Sequence, residues 1–493
     1  MRFTHSSLAT CALCAALVVA TPPLQSEGMQ SLVTKDGLLR TLKDLDRLAS
    51  ENGGNRAFGL PGYTASVNYV KSRLAKSKKY KSWTQDFPAL FSRVESIDFT
   101  VTGKSYYIYG LTYSPSTSAE GIDALLVKGP SGTDACNANA YQNLDVKGKI
   151  VLVERGTCPT GGTLAGKVRP AVSNGAVAVI VYNNVDTLVT AGTLSAPDPD
   201  GYRPAGFINR SDGLDLLKRL DTGEQITAHF QQTQVVETRI TQNVFAESKA
   251  GDSNNVIMLG AHLDSVQAGA GINDDGSGTS LILELFDAVQ HFRPKNKIRF
   301  AWWGAEENGL VGSKHYTSHI AKADADKILL YLNFDMVSRG YFGVFDGDGS
   351  THGLAGAPGS DVIEKLFVDH MVSKGITVTP AVFTGGSDYA SFMSTLNKPV
   401  GGLHTGTGVA QDPCYHQKCD SFENANGTVI EVNAKAAAHV LSVLSNNGPK
   451  MVPKTPNNPA KALRTFDGLD SVDLFPWTHV EGESHLGNCG HDA

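Results

Sequence analysis

Residues 256–265 read VIMLGAHLDS, an apolar run that closes on a His-x-Asp pair. The run predicts a buried strand over 256–261, because short continuous apolar segments suit strands covered on both faces. Residues 280–292 then place Leu281, Leu285, Val289 and Phe292 on one helical face, and Pro294 stops the helix. Buried strands are expected again at 298–303, 328–334 and 399–403, separated by helical stretches such as 362–372. Strands alternating with helices predict an α/β fold with a sheet covered on both faces. Upstream, Leu38, Leu39, Leu42, Leu45 and Leu48 recur at helical spacing, and a second helix is expected over 65–74.

The stretch from 111 to 239 has a different character. Short strands at 150–153 and 177–181 and one helical piece lie among many Gly and Pro, which reads as a domain inserted into a core made of 21–110 and 240–448. From 449 to 493 the chain carries Pro453, Pro456, Pro459 and Pro476 and is expected to form an extended tail, an arm or a removable propeptide. The first twenty residues have Arg2, the apolar run LATCALCAALVVA at 8–20 and a small-residue exit before Pro22, the pattern of a secretory signal peptide. That run is too short to cross a bilayer, which takes about 20 apolar residues.

Composition narrows the class. Hydrophobic residues make up 41% and charged residues 19% of 493, enough for a sizeable core and unlike a disordered or fibrous chain. The net charge is −6, with no basic block of the kind that follows nucleic acid. Removing Cys11 and Cys14 with the signal leaves five cysteines. An oxidising route favours pairing Cys414 with Cys419 and Cys136 with Cys158, which leaves Cys489 odd; the CxxxxC spacing of 414–419 also admits zinc. Sequons at Asn209 and Asn426 add modest support for secretion. Secretion is the expected destination, with the vacuole as the alternative.

Polar clusters stand where the core strands end, the place at which open α/β sheets bind ligands. They are His262 and Asp264, then NDDGSG at 273–278, then Glu306-Glu307 after an uncharged strand end, then Asp335, and last DPCYHQKCD at 412–420. Taken singly, each has an ordinary structural reading: a satisfied histidine, a helix start, a surface turn. Together His262, Asp274, Glu307, Asp335 and His416 form a mixed nitrogen and oxygen set suited to zinc. One shared carboxylate can hold two ions about 3.5–4 Å apart. Glu306, beside a ligand but outside the set, is the candidate general base.

The segments GAHLDS, GINDDGSG, GAEENGLVGS, NFDM and DPCYHQKCD resemble the co-catalytic dizinc aminopeptidases, in family order, over about 35–105 and 240–448. The similarity is greatest to secreted fungal leucine aminopeptidases and the vacuolar aminopeptidase Y type. VKGKIVLVERGTC and GAVAVIVYNN resemble the protease-associated domain inserted in the vacuolar type. The resemblance implies a mixed sheet sandwiched by helices, a zinc-exopeptidase core, with a β-rich insert. It implies two Zn²⁺ ions bridged by Asp274, with His262 and Asp335 completing one site and Glu307 and His416 the other. It further implies that Asp264 orients the first histidine and that Tyr415 donates to the developing oxyanion. The implied substrates are peptides with a free N-terminus, taken by a monomer without nucleic-acid or membrane partners.

Three other readings share the fold. A carboxypeptidase needs a basic residue for the C-terminal carboxylate, and no Arg lies in any of the five motifs, Arg339 being the nearest. A glutaminyl-cyclase-like enzyme uses one zinc, and a catalytically dead binding protein lacks ligands; neither suits a full set of five.

Overall fold

The computed structural model describes residues 21–160 and 162–455. The expected signal segment, Cys489 and most of the C-terminal segment lie outside the described residues. The chain opens with α1 (Ser26–Leu32), α2 (Lys35–Glu51) and α3 (Pro61–Leu74), followed by the long strand β1 (Tyr80–Val101). Next come β2 (Lys104–Ser105), β3 (Tyr109–Gly110), β4 (Ile122–Lys128), β5 (Ile150–Glu154), α4 (Ala165–Ser173), β6 (Ala178–Tyr182), β7 (Ala205–Ile208) and α5 (Arg210–Asp221). A second long strand, β8 (Ile226–Ser248), leads back to β9 (Asp252–His262), α6 (Gly276–Val289), β10 (Asn296–Trp303), α7 (Val311–His319), α8 (Lys322–Ala325) and β11 (Ile328–Phe334). The chain continues through β12 (Gly343–Phe345), α9 (Ser360–Ser373), β13 (Thr379–Ala381), α10 (Tyr389–Leu396), β14 (Val400–Leu403) and α11 (Gly427–Met451).

The helices begin where side chains meet the free amides of a first turn. Thr34 caps α2 by accepting from the Gly37 amide, Pro61 opens α3, and Asn426 caps α11 by accepting from the Thr428 and Val429 amides. The leucines of α2 do what their spacing predicts: Leu38, Leu42 and Leu45 are buried, with Ala49 one turn on.

The strands form one mixed sheet in the order β13-β12-β14-β11-β9-β10-β8-β4-β5-β6-β7-β3. Strands β14, β11, β9 and β10 run parallel to one another. Alternate side chains of these strands enter two separate cores. Ile257, Leu259 and Ala261 pack on one face with Leu330, Leu332 and Phe300. Met258 packs on the other with Tyr331, Ala301 and Trp303. Helices on both faces are thus required, and the apolar runs are continuous because neither face meets water.

β1 and β8 are paired from Tyr80↔Ser248 to Val101↔Ala228, with one irregularity between Val94 and Ser96. β8 runs through the expected boundary at 239/240 without a break, whereas β1 ends at Val101, before the expected boundary at 110/111. β8 is shared: its end pairs with β10 in the core and its beginning with β4 in the insert. The insert carries more helix than its sequence suggests. α4 packs Ala165, Val168 and Ala171 on one face of β5 and β6, and α5 packs Leu216 on the other. α5 escapes a sequence reading because only a few apolar positions mark it between polar residues. At the other end, α11 continues through Pro449 to Met451, past the point where the tail was expected to begin. Thr455 is still tied down, donating to Asn397 O and accepting from Lys398 Nζ.

Glu247 sits where three strands meet and is 3% exposed. It faces Arg299 on β10, which contacts it through both Nε (2.8 Å) and Nη2, and Lys81 on β1 at 3.0 Å. Burial alone would raise the Glu247 pKa, but Arg299 and then Lys81 hold it below the usual carboxylate range. The pair therefore stabilises the fold at neutral pH and loses that contribution as pH falls through the depressed value. Glu247→Ala leaves Arg299 without its counter-charge, and denaturant unfolding should show a loss of about 3 kcal/mol.

Candidate active site

β9, β10 and β11 end side by side, and each hands over to a polar residue. His262 is the last residue of β9, Glu306 and Glu307 follow β10 after Gly304 and Ala305, and Asp335 follows β11. Asp274 comes from the loop before α6. His416 comes from the 412–420 loop, closed by a Cys414–Cys419 disulfide; a second disulfide joins Cys136 to Cys158 in the insert.

These side chains converge. Asp274 Oδ1 lies 3.0 Å from His262 Nε2, and its Oδ2 lies 3.1 Å from His416 Nε2. One carboxylate thus presents an oxygen to each of two imidazoles. His262 Nε2 is 3.6 Å from Asp335 Oδ1 and 3.9 Å from Glu306 Oε2, and His416 Nε2 is 3.0 Å from Glu307 Oε2. Tyr415 lays its ring over the His416 imidazole at 3.9 Å. His416 itself is held at a φ of 55°, and Ala305 and Met336 beside the site at 54° and 52°. Such left-handed conformations persist in non-glycine residues only where surrounding contacts impose them.

The contacts that impose them come largely from acids outside the ligand set. Asp264 accepts from the Glu306 and Glu307 amides at 3.1 and 3.3 Å, and so shapes the turn that carries both glutamates. Its carboxylate is 3.8 Å from His262 Nδ1, whereas its backbone carbonyl is the closer partner at 3.2 Å. Asp275 caps α6 through the Gly278 amide and also takes the amides of His262 and Met336, which links two strand ends and a helix start through one carboxylate. Asp420 accepts from the Asn273 and Asp274 amides at 2.8 and 3.0 Å, and Asp412 takes Asn273 Nδ2 at 2.7 Å. The disulfide-closed loop and the Asp274 loop are thereby joined at both ends. Ser387 donates to Asp335 Oδ2 at 2.6 Å. Arg56, fully buried, donates to the carbonyls of Leu263, Ala270 and Gly271 and holds the chain between His262 and Asp274.

The electrostatics follow from burying so many acids together. Burial pushes Asp264, Asp388 and Asp420 up to about 7. Burial also raises Glu306 well above the ordinary range, with Asp388, Glu307 and Asp335 adding to it, and raises Glu307. Asp274 goes the other way: burial opposes ionisation, but hydrogen bonds to His262 and His416 hold it well below the usual range. Burial would strip both imidazoles of their protons, yet the carboxylates around them raise both pKa values well above normal. The cluster demands positive charge at its centre. Glu307 Oε1 and Asp335 Oδ1 are buried without a hydrogen-bond partner among the described residues. His262 with Asp274 and Glu307, and His262 with Glu306 and Asp335, each bring ligand atoms within 4.8 Å of one another. Two imidazoles, several carboxylates and two orphaned oxygens fit zinc.

All seven residues expected at the centre, namely His262, Asp274, Glu306, Glu307, Asp335, Tyr415 and His416, are brought together. Asp275, Asp420, Asp388, Ser387, Asn273 and Arg56 were not assigned roles from sequence. Asp275 and Asp420 lie inside quoted motifs, so their acidity was visible, but the amides they bind come from elsewhere in the chain. The sequon residues both stand at helix starts: Asn209 precedes α5 and Asn426 caps α11.

Fold and site together define a metal-dependent hydrolase. Residues 243–441 match peptidase family M28, and residues 122–216 match the PA domain. The protein named Aminopeptidase from Pseudomonas aeruginosa is 36% identical over 466 residues, covering 88% of this chain and 84% of that one. Leucine aminopeptidase 2 of Arthroderma otae is 36% identical over 440 residues, covering 85% of this chain and 86% of that one. Among solved structures, an aminopeptidase from Aneurinibacillus sp. strain AM-1 superimposes with a TM-score of 0.70 at 25% identity, covering 85% of this chain and 96% of that one. The chain belongs to peptidase family M28 and carries an inserted PA domain.

Asp420→Asn weakens the acceptor that fixes the Asp274 amide without touching a metal-binding atom. Such supporting partners are typically worth about 10–100-fold in metal affinity. Zinc titration of the chelator-stripped variant should show a loss in that range with circular dichroism unchanged.

Proposed function

We propose that this protein is a secreted zinc aminopeptidase that removes single residues from the free N-termini of peptides, large apolar ones such as leucine foremost. The observation that carries the reading is Asp274, whose two oxygens face two different imidazoles. Two zinc ions would be held by this set: His262 and Asp335 on one side, Glu307 and His416 on the other, with Asp274 between them. The chemistry that bound zinc supplies is Lewis acidity toward a carbonyl oxygen and toward water.

Glu306 is the general base. It is 3% exposed and stands 3.9 Å from His262, beside the ligand set. Burial first, then neighbouring acids, make it more basic than an ordinary carboxylate. It can therefore take a proton from water and return it to the departing amine. Tyr415, stacked on His416 within the disulfide-closed loop, supplies an O–H to the oxygen that gains charge at the scissile carbonyl. The surplus of carboxylates favours a substrate that brings its own positive charge, a free α-ammonium group. That limits cleavage to the first residue.

The preference for leucine rests on the names of the fungal relatives. The segments 383–392 and 403–409, which carry few charges, give it little support as pocket lining. Phe383, Tyr389 and Phe392 are buried in the core beside Phe345 and Tyr331, Leu403 packs in the core on the opposite face, and Val409 is 80% exposed. Secretion is supported by the leader-like first twenty residues and by two disulfides, which persist in oxidising compartments. Among the described residues no helix is long and apolar enough to cross a membrane.

Two adjacent glutamates separate the roles. Glu306→Gln should lower kcat by about 10²–10⁴-fold while zinc content stays at the wild-type level. Glu307→Ala should lose metal, measured by elemental analysis after gel filtration. Near-normal turnover in the Gln variant would remove Glu306 from the base role.

On a panel of aminoacyl chromogenic substrates, leucine should lead. Residues one methylene smaller should follow by about 10–200-fold, the span an apolar pocket can discriminate. N-acetylated peptides should not be cut, because acetylation removes the charge. Trimming of acetylated peptides from the C-terminus would favour the carboxypeptidase reading instead.

A further inference from the structure

A second group of acids stands apart from the catalytic cluster and has no part in the chemistry above. Asp346 and Asp348 belong to the run DGDGST at 346–351, which follows β12, and Glu364 lies on α9. One oxygen from each of the three lies within 4.8 Å of the others. Asp346 is fully buried. Its Oδ2 accepts from the Thr351 and His352 amides at 3.1 and 2.7 Å. Its Oδ1 is buried with no hydrogen-bond partner among the described residues, although a carboxylate oxygen removed from water ordinarily has one.

Among the described residues, no ion pair joins a cationic side chain to the group; Lys365, next to Glu364 in sequence, pairs with Asp369. The nearby imidazole of His352 is engaged with the Pro380 carbonyl at 3.2 Å. Hydrogen bonds from Ser350, with a smaller contribution from the neighbouring Asp346 carboxyl, hold Asp348 below the usual range. Glu364 is pushed up by burial and by its two acidic neighbours, while its Oε2 accepts the Asp348 amide at 3.0 Å.

We propose that Asp346, Asp348 and Glu364 bind a calcium ion, which fastens the 346–352 loop to α9. The donors are all oxygen, with neither imidazole nor thiolate, which selects a hard cation over zinc. The group is also irregular: one carboxylate is buried, one exposed and one between. Calcium tolerates such a set at about 2.3–2.6 Å with water completing the shell, whereas magnesium demands a near-ideal octahedron. The site has a structural reach toward the catalytic edge. β12 pairs with β14 at Val344↔Leu403, and His404, the next residue, contacts the Asp335 carbonyl through Nδ1 at 3.0 Å. Calcium there stabilises the sheet edge and takes no part in bond cleavage.

The test is calorimetric titration of the zinc-loaded full chain with calcium chloride in metal-depleted buffer, with magnesium chloride in parallel. Asp348→Asn and Glu364→Gln are compared with wild type, since Asp346 also anchors two amides and its replacement risks the loop itself. The expected result is one calcium per chain, at a dissociation constant of about 10⁻⁴–10⁻³ M. Each variant should bind at least tenfold more weakly and lose the calcium-dependent rise in Tm, with zinc content and turnover as in wild type. Equal calcium binding by wild type and both variants, or none by wild type, would overturn the site. Magnesium binding as tight as calcium would overturn the choice of ion.

Discussion

Carboxylates buried against one another are the constraint on which this active site is built. Asp264, Asp274, Asp275, Glu306, Asp335, Asp388 and Asp420 are each at most 5% exposed. Their mutual repulsion in a poorly polarisable interior would unfold the strand ends unless each were answered. Three kinds of answer are present. Backbone amides take up Asp264, Asp275 and Asp420, the guanidinium of Arg56 is buried beneath the loop, and two imidazoles face Asp274. What remains, one oxygen each of Glu307, Asp335 and Asp388, is buried without a hydrogen-bond partner among the described residues. The acids outside the candidate ligand set thus position those within it.

The same constraint explains why distant pieces of chain meet here. Asp420 and Asp412 bracket the Cys414–Cys419 loop, and both reach the 273–274 segment roughly 140 positions away in sequence. The disulfide fixes the loop ends, the two aspartates fix the loop to the core, and His416 is left with little freedom to move away from Asp274. Covalent closure and hydrogen bonding act on different parts of one loop, so neither alone sets the imidazole.

Much of the candidate site was legible because the residues at 262, 306–307 and 335 stand at the ends of apolar strands. In a parallel sheet the strand ends are neighbours, so polar residues at 262, 306–307 and 335 had to lie near one another once 256–261, 298–303 and 328–334 were recognised. The mixture of imidazole and carboxylate then pointed to zinc over harder cations. The supporting shell was not legible in the same way. Asp275 looks like a helix cap from sequence, and it is one, but its contacts with the His262 and Met336 amides depend on how three loops pack. Arg56 lies in a turn-rich stretch with no periodicity to place it. In the insert, the strands at 150–153 and 177–181 stood out as continuous apolar runs, whereas α5 has only a narrow apolar stripe, and the β1/β8 ribbon alternates too irregularly along its length to be recognised as a single pair.

The ribbon has a consequence for the history of such chains. The insert leaves the core on β1 and returns on β8, and the two strands are already paired where they depart, at Tyr80↔Ser248. To the core, the whole stretch between them is equivalent to the turn of one hairpin. Closing a longer loop between ends that are already held together costs only about 0.6 kcal/mol for each doubling of its length. An ancestral hairpin could therefore be lengthened, exchanged or cut back to a short turn without altering the order of β14, β11, β9 and β10. Gain and loss of the accessory domain is in this sense an edit to a single loop, and lineages can diverge in it while inheriting the same catalytic sheet.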